Sequence, residues 1–218
     1  MGYDMSNGLR FDALRGANTA RLPQFKNSRG GQAHAQPDGS DWNPAQWLQA
    51  VMGELGEFAR VRLAYEAGLM DFDSYCAMAA KELADVQTYL DILARRALDK
   101  VEAPNWYVTP PEERDPATNL MLTIALLGEY ANDRKKFERG DIDRADFEHR
   151  RHQLANLYPN IDAIANAGLQ HDQPMPVVDA HPIGVDLGRA VIGKFNEVSE
   201  RVGSTVRLAA DDWHYTRT

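Results

Sequence analysis

Cysteine is almost absent from this chain: Cys76 is the only one among 218 residues. A single thiol excludes an internal disulfide and a cysteine-based metal cluster, and it is typical of proteins of the reducing cytoplasm. No apolar run is long enough to span a membrane, and the N-terminal sequence lacks the basic and then apolar pattern of a signal peptide. We therefore expect a cytoplasmic protein that does not bind membranes.

Basic residues are fewer than acidic ones, with 24 Lys and Arg against 32 Asp and Glu. The formal net charge is therefore -8, and the pI is near 5.2. Such a surface does not favour binding to the nucleic-acid backbone or to an anionic membrane. The phosphate-binding pattern G-x-x-x-x-G-K is also absent, so the sequence does not support a P-loop ATPase. One small phosphorylated ligand remains compatible with this composition, because bound metal ions would neutralise it locally.

Patterns typical of β-strands are lacking, and helical periodicity dominates the chain. Asn43 followed by Pro44 is a typical helix start, because a Pro at the first helical position loses no hydrogen bond. The polar, Gly-rich residues 27–41 are predicted to form a mobile loop. We predict an all-α helical bundle that forms a single domain over residues 1–218. The predicted helices cover about Leu9–Ala20, Pro44–Glu66, Asp73–Leu98, Pro116–Arg139, Asp143–Ala167 and Val185–Val202.

Two helical hairpins in tandem share the same helix starts and turns. A shift of 72 residues aligns Pro44 with Pro116 and Gly68 with Gly140, and about 11 of 32 aligned positions are identical. Because caps, turn and helices align together, a tandem duplication is favoured over chance similarity between amphipathic helices. The predicted units are an acidic catalytic hairpin (44–98), a degenerate repeat hairpin (116–167), and a C-terminal helix and tail (185–208).

The first hairpin carries two pairs of acidic residues, Glu54 with Glu57 on its first helix and Glu82 with Asp85 on its second. A spacing of three places the members of each pair one turn apart on one helical face. On the second helix, both acids fall inside an apolar stripe, so we expect them to face an interior. That stripe comprises Met78, Val86, Tyr89, Ile92 and Leu93, and the predicted polar face comprises Lys81, Gln87, Asp91 and Arg95.

The second hairpin keeps the same pattern with less charge. Leu126 takes the place of Glu54, which indicates that this position is interior. Gln153 and Asn156 replace the acidic pair of the second helix, and Glu129 alone keeps its carboxylate. The first hairpin is therefore expected to hold the functional acidic groups.

Several carboxylates cannot share a poorly hydrated site unless they bind protons or cations, because burial and mutual repulsion both disfavour the charged forms. Neither helix supplies a basic partner within its apolar stripe, so we expect bound cations. Oxygen ligands without His or Cys favour Mg²⁺, with Mn²⁺ also possible. A di-iron carboxylate bundle is excluded, because Glu54, Glu82 and Glu129 are not followed by the Glu-x-x-His pattern that it needs.

These acidic motifs resemble the MazG-like family of all-α nucleoside triphosphate pyrophosphohydrolases. GELGEF and KELADV match its E-x-x-E and E-x-x-D signature. ANTAR, residues 17–21, and KFNEVSERVGSTVRL, residues 194–208, resemble the N-terminal element and C-terminal helix of phage-type members. The degenerate hairpin interrupts this resemblance and is similar to the arrangement of dimeric dUTPases, in which one half of a pseudo-dimer carries the acidic residues.

The resemblance implies hydrolysis of a ribo- or deoxyribonucleoside triphosphate between the α and β phosphates, giving a monophosphate and pyrophosphate. It also implies a homo-oligomer, with a dimer favoured and one site per chain, in the host cytoplasm if the protein is phage-encoded. The implied catalytic and metal-binding residues are Glu54, Glu57, Glu82 and Asp85. The candidate substrate contacts are Asn18, Arg21, Lys194, Asn196 and Arg201.

Other features favour structural roles. Trp42 and Trp47 are expected to pack in the core rather than to stack on a base. His149 and His152 have metal-compatible spacing but lie among charged residues, which predicts a solvated face. A non-enzymatic helical interaction protein with a surface acidic patch is the alternative to the enzyme, and it predicts neither metal dependence nor nucleotide binding.

Overall fold

The computed structural model describes residues 11–27, 30–97, 116–151 and 186–210, together with positions 157, 160, 161 and 164. Within these ranges the fold is all-α, as the sequence predicts, and it contains six α-helices and no strand. None of these described helices is long and apolar enough to cross a membrane. The helices are α1 (Phe11–Arg21), α2 (Pro44–Glu66), α3 (Phe72–Ala97), α4 (Pro116–Glu138), α5 (Arg144–Arg151) and α6 (Leu187–Arg201), with a 3₁₀ turn at Leu22–Gln24.

Most helix boundaries agree with the predicted ones to within a few residues. Leu9, the predicted start of the first helix, lies outside the described residues. Helix α5 covers the beginning of the predicted helix from Asp143 to Ala167, and most of its remainder also lies outside them.

The start of α2 is fixed by a capping box. The Asn43 side chain accepts hydrogen bonds from the backbone N–H groups of Ala45 (2.9 Å) and Gln46 (3.1 Å). The Gln46 side chain in turn accepts one from the Asn43 backbone N–H at 3.0 Å. These bonds satisfy N–H groups that otherwise have no partner in the first turn, so the register of α2 is set where the sequence predicts.

The two hairpin turns have the same hydrogen-bond pattern. Gly68 and Gly140 adopt positive φ angles of 70° and 79°, which favour glycine. Gly68 N–H bonds to the Tyr65 carbonyl and Leu69 N–H to the Ala64 carbonyl, a Schellman motif. Bonds shifted by 72 residues close the second turn, from Gly140 to residue 137 and from residue 141 to residue 136. The turns thus agree with the predicted duplication, which itself stays a prediction.

Helix α3 is the centre of the described fold, because α1, α2 and α6 all pack on it. Large apolar side chains from three helices fill the contacts: Trp47 and Phe58 of α2, Leu83 and Leu90 of α3, and Phe195 of α6 are at most 2% exposed. Burying a side chain of this kind contributes about 1.5–3 kcal/mol. This packing holds α2, α3 and α6 in the positions that place the acidic groups.

The predicted division of α3 into an apolar and a polar face is partly wrong. Gln87 and Asp91, predicted to be on the polar face, are 0% exposed, while Met78 of the apolar stripe is 43% exposed. The physical reason is that neighbouring helices cover α3 on several sides. Its polar-face residues Gln87 and Asp91 are therefore buried against these helices. Asp91, for example, pairs with Arg15 of α1 at 2.9 Å.

The prediction that residues 27–41 form an unpacked mobile loop is wrong for residues 30–41. Isolated β-bridges join Lys26 to Gln32 and Ala35 to Asp41. An ion pair between Asp41 and Arg96 links the segment to the end of α3. The segment packs because the ring of His34 inserts among aromatic side chains.

Candidate functional site

An open cleft lies where α3 faces α1, α6 and the segment that follows α1. It has a volume of about 640 Å³, including space open to solvent. The side chains that line it are Asn18, Arg21, Leu22, Phe25 and His34 from the N-terminal part, Glu54 from α2, Asp85, Thr88, Tyr89 and Ile92 from α3, and Lys194, Phe195, Val198 and Arg201 from α6.

Three of the four predicted carboxylates lie together, and two of them, Glu54 and Asp85, line this cleft. Glu54 of α2 and Glu82 and Asp85 of α3 each place a carboxylate oxygen within 4.8 Å of the others. All three residues are partly buried. The capping of α2 and the close packing of α2 on α3 bring them together, although 28 residues separate Glu54 from Glu82 in the sequence.

Each of these three carboxyl groups has a raised pKa. Burial, and next the charge of Asp85, raise the pKa of Glu54 from 4.5 to about 7. Burial and then the charge of Glu57 raise the pKa of Glu82. Burial also raises the pKa of Asp85, against the opposing effect of Lys194. The groups therefore resist ionising together without added cations.

Glu57, the fourth predicted carboxylate, lies beside this group rather than within it. Its side chain is 52% exposed, and its nearest cationic contact is Arg60 at 3.9 Å. Its charge nevertheless contributes to the raised pKa values of both Glu54 and Glu82. Its role as a ligand stays a prediction.

The acidic groups have a basic partner that neither α2 nor α3 supplies. The Lys194 ammonium group of α6 lies 2.9 Å from the Asp85 carboxylate. This partner comes from a helix remote in sequence, so inspection of α2 and α3 alone could not find it. Lys194 is one of the candidate substrate contacts, and it lies in the cleft with Arg201, another of those candidates.

Arg21 is held in the cleft wall by α6. Its guanidinium lies 3.4 Å from the centre of the Phe195 ring and donates a 2.7 Å hydrogen bond to the Phe195 carbonyl. Burial lowers its pKa to about 10, and the residue is only 5% exposed. It stays positively charged at neutral pH, so it and the exposed Arg201 give this wall a positive charge.

Asn18 also lines the cleft, as a predicted substrate contact should. It is 3% exposed, and its amide NH₂ donates to the Thr88 carbonyl at 3.4 Å and to Asp91 at 3.2 Å. These contacts show that Asn18 joins α1 to α3. They do not exclude a contact with a ligand, because its Oδ1 accepts no hydrogen bond within the described part of the chain.

Asn196, another candidate substrate contact, does not line the cleft, and its side chain bonds to the chain's own C-terminal tail. Its side-chain amide donates to the Leu208 carbonyl and accepts from the Leu208 N–H, both at 2.9 Å. The residue lies on a side of α6 that faces the C-terminal tail. Asn196 therefore fixes that tail against α6.

The Asn196→Ala variant is expected to lose about 1–2 kcal/mol of unfolding free energy, because both hydrogen bonds to Leu208 disappear. Its KM for nucleotide should not change. Chemical denaturation and steady-state kinetics measure the two effects. Asn196→Asp is the matched control, since it retains the acceptor for the Leu208 N–H. A large rise in KM without loss of stability would contradict this assignment.

An aromatic group forms the other end of the cleft, and sequence reasoning missed its central residue, His34. The His34 ring stacks on Trp47 at 5.4 Å and meets the edges of Phe25 at 5.1 Å and Trp42 at 5.0 Å. Burial, followed by the charge of Arg21, lowers its pKa. Trp47 is 0% exposed, as the prediction of core packing requires. No local signal distinguishes His34 within its polar, Gly-rich segment.

The cleft is therefore polarised along α3. Asp85 marks its acidic end, and Tyr89 and Ile92 mark its apolar end; seven helical residues correspond to about 10 Å. No family model, curated protein or solved structure matches this chain. What the cleft does is therefore inferred from its own chemistry: clustered carboxylates at one end, aromatic surface at the other, and positively charged side chains in its wall.

Proposed function

We propose that this chain is a Mg²⁺-dependent nucleoside triphosphate pyrophosphohydrolase, which cleaves a ribo- or deoxyribonucleoside triphosphate into a monophosphate and pyrophosphate. The observation that carries the proposal is the polarity of the cleft. Three carboxylates with raised pKa values cluster at one end, and Tyr89, one helical turn or about 6 Å along α3 from Asp85, begins the aromatic end. A nucleotide has the matching polarity, with an anionic triphosphate at one end and a flat base at the other.

The donor set fits a hard divalent cation. Glu54, Glu82 and Asp85 would hold Mg²⁺, or Mn²⁺ in its place, with Glu57 as a further ligand from the predicted set. A bound ion of this type neutralises phosphate charge and lowers the pKa of a coordinated water. The chain's own cations, Arg21 and Arg201, line the same cleft and would neutralise the remaining phosphate charge.

The apolar end suits the nucleoside. Phe25 and Tyr89 offer ring surface, and His34 of the segment 30–41 closes this end of the cleft. Aromatic side chains bind bases by stacking with little dependence on sequence. The geometry alone does not select one base, so a broad panel of nucleotides is needed.

We further propose a cytoplasmic homodimer with one site per chain. The second hairpin carries Leu126 where the first carries Glu54, so it supplies no equivalent ligand at that position. Met121, Leu122 and Ile124 of α4 are exposed by 36% or more, which favours a contact between subunits. Light scattering coupled to size-exclusion chromatography measures the oligomeric state.

The test is turnover of the common ribo- and deoxyribonucleoside triphosphates with Mg²⁺, with Mn²⁺ and with EDTA. Products are separated by ion-exchange chromatography and pyrophosphate is measured directly. The proposal expects monophosphate and pyrophosphate in equal amounts, and no product with EDTA. Release of orthophosphate and a diphosphate would contradict the cleavage position. If neither turnover nor binding of any nucleotide occurs, the non-enzymatic interaction protein becomes the better description.

A further inference from the structure

The amide of Asn18 is held in one orientation by two acceptors on α3. Its NH₂ group faces the Thr88 carbonyl and the Oδ2 atom of Asp91. Because an amide that donates on one side presents its oxygen on the other, these partners assign the side-chain oxygen. That oxygen, Oδ1, is buried without a hydrogen-bond partner among the described residues, and Asn18 lines the cleft.

Asp91 can fix the orientation of the Asn18 amide because Asp91 is itself fixed by Arg15. The Arg15 Nε and Nη2 atoms both donate to Oδ1 of Asp91, at 3.2 and 2.9 Å. The second carboxylate oxygen, Oδ2, therefore remains for Asn18. Asp91 is 0% exposed, so no bulk water competes for this oxygen. The chain Arg15–Asp91–Asn18 is thus a directional series of hydrogen bonds that ends at the cleft.

We propose that Asp91 and Arg15 are positioning residues that make Asn18 an obligate hydrogen-bond acceptor, so that the cleft selects nucleotides whose nucleoside part donates an N–H or O–H there. This inference rests on the proposed function for the identity of the ligand. The unpaired oxygen of Asn18 needs a donor, and leaving such a buried group unpaired is costly.

The group that donates a hydrogen bond to Oδ1 of Asn18 would belong to the nucleoside and not to the triphosphate. Phosphate oxygens at neutral pH are acceptors, so they would repel Oδ1 of Asn18 rather than pair with it. Asn18 also contacts α3 at Thr88 and Asp91, about 5–9 Å along the helix from Asp85, toward the apolar end. A base N–H and a sugar hydroxyl are the two donors that a nucleoside offers.

Asp91→Asn should release the fixed orientation of the Asn18 amide. The oxygen of the new amide would stay on Arg15, and its NH₂ would face the NH₂ of Asn18. Two facing donors are unfavourable, whereas the Thr88 carbonyl still favours the original orientation, so the Asn18 amide would present either its oxygen or its NH₂ to the cleft. A purely structural role for Asp91 would instead weaken all substrates alike.

The experiment compares kcat/KM for parent triphosphates and for analogues that each lack one donor. The base arm replaces an exocyclic amine with hydrogen or methylates a ring N–H, and the sugar arm removes the 3′-hydroxyl. Wild-type protein should disfavour one analogue by about 10- to 100-fold. Asn18→Leu should remove this discrimination. Asp91→Asn should reduce this discrimination, because the Asn18 amide is no longer held in one orientation. Thr19→Ala, at an exposed site on α1, is the control and should behave as wild type.

The outcomes separate this inference from the proposed function. If wild type turns over nucleotides but no donor deletion matters, or if Asn18→Leu and Asp91→Asn keep the wild-type discrimination, the inference is overturned and the function stands. If wild type shows no turnover, calorimetric binding of α,β-methylene triphosphates and their donor-deleted analogues gives the same comparison. A difference in affinity between the parent and the donor-deleted triphosphates would support the inference even without hydrolase activity. If no triphosphate binds, both the inference and the proposed function are overturned. Asp91→Asn also provides the test if Asn18→Leu fails to fold.

Discussion

Asp85→Asn is expected to reduce pyrophosphohydrolase turnover by about 10³-fold or more, because a metal ligand that stabilises transition-state charge is worth several kcal/mol. Asp85 carries this prediction because its carboxylate belongs to the group of three and also contacts Lys194. The folded protein should change little, since the substitution keeps the shape of the side chain and the ion pair is partly exposed. Single-turnover kinetics at saturating Mg²⁺ measures the loss, and thermal unfolding checks the fold.

The duplication offers a matched control for this variant. Glu129 of α4 aligns with Glu57, is exposed, and belongs to the hairpin without the acidic pair. Glu129→Gln should retain wild-type turnover, whereas Glu57→Gln should lose it if Glu57 is a ligand as predicted. Wild-type activity in Asp85→Asn would remove the proposed metal ligands from the mechanism.

Metal-free protein is expected to be less stable at pH 8 than at pH 5, and Mg²⁺ should reverse much of this loss. The pKa of Glu54 rises from 4.5 to about 7 in the folded state. The folded state thus binds protons more tightly than the unfolded chain, so stability is greatest below pH 4.5 and falls as the pH rises through 7. With an allowance for partial exposure, the expected loss is about 1–2 kcal/mol.

Glu54→Gln isolates this contribution, because it removes the titrating group. Urea unfolding at pH 5, 6, 7 and 8, with EDTA or with Mg²⁺, should give a steeper pH dependence for metal-free wild type than for the variant. The comparison also cancels the contribution of His34 to the pH dependence, because both proteins contain this residue. The lowered pKa of His34 acts in the opposite direction to the raised pKa of Glu54: its contribution to stability is lost as the pH falls. Identical pH profiles for the two proteins without metal would be incompatible with a repelling acidic group.

Local sequence signals were sufficient for the helices and for the positions of the acidic pairs. The Asn43 cap and the Gly68 turn depend on residues that are close in sequence, so their patterns predict them directly. The i, i+3 spacing of Glu82 and Asp85 likewise fixes a shared face through helix geometry alone. Leu126 at the repeated position indicated an interior site, whereas Glu54 and Leu126 are each only partly buried.

Contacts between distant segments could not be predicted in the same way. Asp91 was assigned to a solvated face, and only the arrival of Arg15, 76 residues earlier in the chain, makes its burial possible. The ion pair of Lys194 with Asp85 and the insertion of His34 among aromatic rings depend on how whole elements pack. Periodicity within one helix contains no information on these partners, so the sequence predicted the clustering of the acidic side chains better than it predicted their surroundings.

Titration of the metal-free protein with Mn²⁺, followed by the electron paramagnetic resonance signal of the free ion, tests the central claim most directly. The account predicts saturable binding to wild type and to Glu129→Gln, and at least about tenfold weaker binding to Glu82→Gln, which loses one charged oxygen ligand. Equal binding by all three proteins, or none by wild type, would contradict the claim that Glu54, Glu82 and Asp85 form a divalent-cation site.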